Sequence, residues 1–146
     1  MKTAFDICIK NNRILVFPNG KNLAEGEIRA ALDDLADAKI GLAQQRYNWA
    51  TIQGYHSMFH AARALLFSAG YRETSHYCLA VAIEALYVGT GKLGRELYVY
   101  LYAAMGMRAN ADYRTLFSEE SARLIVKRAE EFLEKGREIL EGSEEN

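Results

Sequence analysis

The residues with chemical potential in this chain fall into two groups. His56 and His60 stand four apart, and Gln53 and Arg63 continue the same spacing, so on a helix these four side chains form one polar stripe. Two imidazoles at that spacing can face one metal ion, but hydrolytic zinc chemistry needs a glutamate directly after the first histidine, and Ser57 holds that place. No metal site is expected. Hydrogen bonds inside a bundle or at an interface are the plainer role for both rings. Glu73 and His76 match the Glu-x-x-His step of di-iron bundles, yet the second copy and the two further glutamates of such a site are absent. The second group is Arg108, Asn110, Asp112, Tyr113 and Arg114. It reads equally as an ion pair of Arg108 with Asp112 pinning a connection over Tyr113, or as a ligand-contacting cluster.

Other candidates are weaker. Tyr98, Tyr100 and Tyr102 could stack on bases, but an alternation by two cannot share one helical face. Arg123, Lys127, Arg128, Lys135 and Arg137 could meet phosphate, but Glu130, Glu131, Glu134 and Glu138 are interspersed, as on an ordinary solvated face. Glycine-rich phosphate loops, zinc-spaced cysteine pairs and nucleophile elbows are missing, and no cofactor is implied.

The elements that must position these groups are helical. The chain has 146 residues, half of them hydrophobic, and a single proline, which suits one all-α domain with its own core. Tyr47 to Gly70 is apolar around most of its circumference and predicts the central helix, closed by Gly70. Before it, 22–46 predicts a long amphipathic helix with Asn22 as N-cap. Ile28, Leu32, Leu35 and Leu42 face inward, and Glu25, Glu27, Asp33, Asp34 and Asp37 face largely outward. A short connection sets these two helices antiparallel. Thr74 or Ser75 caps a third helix with Leu79, Ile83 and Leu86 inside, and a fourth starts near Lys92. Periodicity stops around Met107, so RANADYRTLF reads as a connection before a last helix capped by Ser118. Residues 1–21 form an arm packing on the bundle, either two short strands about Asn11-Asn12 or a brief helix and an extended segment; 22–142 are the bundle; 143–146 fray.

A formal charge of -1 gives no overall basic signature for nucleic acid. Cys8 and Cys78, far apart and without a secretory signal, read as buried free thiols in a cytoplasmic protein. No apolar run approaches the about 18 residues that suggest a membrane span.

Two stretches add a resemblance. YHSMFHAARALLFSAGYRETSH, and RANADY followed by FSEESARLIVKRAEEFL, resemble the HEPN family of small prokaryotic helical domains, and the similarity extends over nearly the whole chain. The resemblance implies a four- to five-helix up-and-down bundle with a short N-terminal arm. It also implies a homodimer, RNA or nucleotide contact, and a toxin–antitoxin or defence pairing with a minimal nucleotidyltransferase. Many members are metal-independent endoribonucleases in which an Arg steadies the scissile phosphate and a His four to six residues later transfers protons. Arg108 aligns with that Arg. Tyr113, Arg114 and Thr115 stand where the His should fall, and no histidine follows His76. Three ways around the gap remain open: His60 or His76 reaching in from another helix, Tyr113 with a lowered pKa, or phosphate binding without cleavage. Binding would then fall to Arg108 and Arg114, with Arg63, His56, His76 and Asp112 as further contacts.

Overall fold

Thr3 starts the first element: its hydroxyl accepts the Asp6 N–H at 3.1 Å, and the Asp6 carboxylate accepts the Thr3 N–H at 3.1 Å, a reciprocal cap. A computed structural model of the chain describes residues 2–113 and 118–144, with side chains for 2–106 and 118–142. Helix α1 (Ala4–Lys10) is followed by strand β1 (Ile14–Val16), the long helices α2 (Gly20–Ala43) and α3 (Tyr47–Ser68), and strand β2 (Tyr71–Glu73). Helix α4 (His76–Ile83) runs on into a π-helical turn, Glu84–Val88, before α5 (Arg95–Tyr113) and α6 (Glu119–Glu144). The protein is all-α apart from the β1–β2 ribbon.

Helix α3 is the centre of the bundle and packs on α2, α4, α5 and α6. Its connection to α2 is three residues long, with Gln45 at φ 61, and the two helices run antiparallel in close register. Their seam is built from small side chains. Ala24, Ala31, Ala38 and Gly41 on α2 are buried, as are Ala50, Ala61 and Ala64 on α3. A Cβ on Gly41 would lie 3.3 Å from the Ala50 Cβ, and one on Gly20 would lie 2.5 Å from the Phe67 carbonyl oxygen. The buried line of α2 runs through Ala24, Ile28, Ala31, Leu35 and Ala38, so Leu32, expected inside, falls off it and is 38% exposed, while Glu27 and Asp34, expected outside, border it and are half-buried. On the far side of α3, the buried residues Ala122, Ile125, Ala129 and Phe132 of α6 close the core.

The N-terminal arm takes the helix-then-extended form. Its strand finds its partner at a distance: Ile14, Leu15 and Val16 pair antiparallel with Glu73, Arg72 and Tyr71. Gly70, at φ 89, turns the chain out of α3 into β2, where a connection without strand was expected. Period-2 alternation then points Glu73 inward and leaves Arg72 exposed.

Three local expectations are corrected. Helix α2 starts at Gly20 with Asn19 as its N-cap residue, and Asn22 lies within the first turn, its amide donating to Asn19 Oδ1 at 2.9 Å. The segment 107–113, expected as a connection, continues α5 without a break; Ala109 and Ala111 are strong helix formers and no glycine or proline intervenes after Gly106. Cys8 and Cys78, expected as free thiols, are joined in a disulfide with Cα atoms 5.9 Å apart, because α1 folds back onto the first turn of α4. Ser118 caps α6 as expected, accepting the Ser121 N–H at 3.0 Å. Helix α6 extends to Glu144, and 145–146 lie outside the described residues. No helix among the described residues is long and apolar enough to cross a membrane.

Candidate functional site

The polar stripe of α3 turns toward α2 and β2. His60 Nδ1 lies 2.6 Å from Glu27 Oε2, and its Nε2 lies 3.6 Å from Asp34 Oδ2. An ionised carboxylate can only accept, so Nδ1 carries a proton toward Glu27. Nδ1 is thus hydrogen-bonded to α2, and Nε2 faces the Asp34 carboxylate of the same helix. Burial pushes the Asp34 carboxyl above its usual value, against the opposite pull of His60 and His56. Helical spacing explains the match: Glu27 and Asp34 are seven apart, two turns of α2, and flank the one turn of α3 that carries His60.

Arg63, one turn further along α3, is held from three sides. Its Nε donates to Glu73 Oε1 at 3.2 Å, its Nη1 lies 3.8 Å from Glu27 Oε1, and its guanidinium carbon sits 5.6 Å and 5.2 Å from the ring centres of Phe59 and Phe67. Glu73 is 7% exposed, so the Arg63 cation is what makes its charge tolerable there.

His76 differs from His60. It opens α4, is exposed, and its Nδ1 lies 2.9 Å from the hydroxyl of buried Tyr55. Its ring stacks at 4.6 Å on half-buried Phe59, which also contacts the His60 ring at 5.6 Å. His56 is half-buried with its ring 5.8 Å from Tyr55. The three histidines of the chain thus gather on one flank, around Phe59 and Tyr55. Chemically, His60 is tied to the carboxylates of α2, whereas His76 is an oriented imidazole with an edge toward solvent. Glu73 and His76 do not share a helix, since one ends β2 and the other begins α4, so their sequence spacing does not make a bundle metal motif. Among the described residues no group of three or more His, Cys, Asp and Glu could hold a metal ion.

Arg108, Asp112 and Tyr113 belong to the last turns of α5, with Arg108 and Asp112 one turn apart along the backbone. Their side chains, and Arg114 altogether, lie outside the described residues. The residues missed in sequence are the acidic partners Glu27 and Asp34, and Tyr55; Glu73 was weighed only as a metal ligand. Two i, i+7 acids opposite a histidine stripe were a visible signal, but only the antiparallel register pairs them.

An antiparallel helical bundle with a histidine- and arginine-bearing central helix is the class that fold and site define. The comparisons sharpen it: a family model described as "HEPN domain" matches residues 24–139, and the chain belongs to the HEPN family. It is 30% identical over 115 residues to a "UPF0332 protein" of Thermotoga maritima, covering 77% of this chain and 87% of that one. It is also 29% identical over 115 residues to "Putative toxin MJ0605" of Methanocaldococcus jannaschii, covering 77% and 85%.

Proposed function

We propose that the chain is the toxin-side component of a toxin–antitoxin pair, a homodimeric HEPN domain that contacts RNA or a nucleotide through Arg108 and Arg114 without cleaving it. The observation that carries this reading is the state of His60. With no histidine after Arg108, cleavage needs an imidazole from elsewhere, and both nitrogens of His60 face carboxylates of α2. The toxin assignment is supported by family membership and by the name of one relative. A minimal nucleotidyltransferase is the partner that this reading expects.

The exposed edge of His76 favours a second reading, metal-independent endoribonuclease chemistry with His76 as acid or base. Fluorescence anisotropy with labelled RNA and nucleotides, run beside a cleavage gel on wild type, Arg108→Ala and His76→Ala, separates the two. Binding weakened about tenfold or more by Arg108→Ala, with intact RNA throughout, is the expected result. Cleavage abolished by His76→Ala would install the second reading. Absence of any binding would leave a protein-interaction module, for which the exposed Tyr77, Val99 and Tyr102 on α4 and α5 offer a surface.

A further inference from the structure

Helix α1 has little to hold it. It is seven residues long, far short of what keeps an isolated helix formed in water, and Cys8 is its one buried residue. Ile7 and Ile9 are 47% and 38% exposed. Apart from the disulfide, its side-chain anchor is Phe5, edge-on to Tyr71 at 5.6 Å. The other half of the bridge, Cys78, sits in the first turn of α4, where Ser75 Oγ accepts its N–H at 3.3 Å. Both cysteines are nearly buried, yet together they line an apolar groove of about 260 Å³ that also borders Ile7, Arg13 and Tyr77. That groove is the route by which a small thiol would approach the bridge.

We propose that Cys8–Cys78 is a thiol–disulfide exchange site for a dithiol reductant, and that its reduction releases α1 from α4 while the rest of the bundle stays folded. One thiolate of the dithiol attacks Cys8 Sγ, forming a mixed disulfide, and Cys78 leaves as a thiolate. Cys78 is the better leaving group because the positive end of the α4 dipole stabilises its negative charge. The second thiol of the reductant then displaces Cys8 and closes its own disulfide. Two electrons pass from the dithiol to the cysteine pair, and the two thiolates take up its protons. The geometry is independent of the RNA-binding reading.

The test uses the whole chain and dithiothreitol, with thiol titration and hydrogen–deuterium exchange. Aerobic protein is expected to show no free thiol, and the native protein two after dithiothreitol. Amides of α1 should then exchange at least about tenfold faster, with α3 and α6 unchanged. The Cys8→Ser/Cys78→Ser protein should show the fast exchange without reductant. Free thiols before reduction, a bridge that resists dithiothreitol until the protein is denatured, unchanged exchange in α1, or loss of protection throughout α3 and α6 would each overturn the proposal.

Discussion

Glu73 Oε1 accepts a hydrogen bond from Arg63 Nε at 3.2 Å, and this pair joins the edge strand β2 to the central helix. The Glu73 side chain is 6% exposed and that of Arg63 is 25% exposed, so the two charges are largely withdrawn from water and depend on one another.

Removing one of them strands the other. Arg63→Ala should destabilise the fold by about 3 kcal/mol, the low end for a broken buried pair because the guanidinium keeps some solvent. Arg63→Met with Glu73→Leu should recover most of that loss. Urea denaturation of the three proteins measures it; a single variant as stable as wild type would show that the pair contributes nothing.

Asp34 provides a pH signature. Burial raises its native pKa above the ordinary 3.8. The stability linked to a raised carboxyl is fully present below the unfolded value and is lost as pH climbs through the native one, so at pH 7 ionised Asp34 is a net cost. Asp34→Asn should raise Tm at pH 7, and the gain should vanish near pH 3. Thermal melts across that range decide it, and a loss of stability at neutral pH would mean that attraction to His60 outweighs burial.

Tyr87 acts at the other end of the scale. Its hydroxyl donates to the Leu65 carbonyl at 2.6 Å, and burial pushes its pKa up to about 12 from 10.0. Its linked stability is intact below 10 and is lost as pH rises through the native value. Tyr87→Phe should cost about 1 kcal/mol at pH 7, since the Leu65 carbonyl keeps its bond from Ala69 N–H, and should flatten the alkaline fall. Denaturation at pH 7 and pH 11 compares the two.

Two glycines of α2 should respond in opposite senses to alanine. At Gly20 the new Cβ would meet backbone, the Phe67 carbonyl, at 2.5 Å, so the α2–α3 seam must open; a loss of about 1–3 kcal/mol is expected. At Gly26 nothing lies within 4 Å, and alanine should add about 0.5–1 kcal/mol through helix propensity. Chemical denaturation of both variants reads the contrast.

Much of this protein is legible in the order of its residues. The 3.6 period, the single proline, Gly70 after the central helix and Ser118 before the last one are local signals, and local energetics decide where helices begin, end and bury their faces. The HEPN relationship is equally a property of sequence, carried by the Met58–Arg63 run and the Arg108–Tyr113 segment. Continuation of α5 through 113 was hidden because RANADY is a polar run with no apolar period to betray it. What only the tertiary structure decided is pairing. Cys8 with Cys78, β1 with β2, His60 with Glu27 and Asp34, and Arg63 with Glu73 join residues 10 to 70 positions apart. Their partnership depends on the antiparallel register that Gly20, Gly41 and the alanine seam allow. Composition could say that the stripe on α3 needed partners; the close approach of two helices and the turn at Gly70 determined that those partners are acids of the same chain.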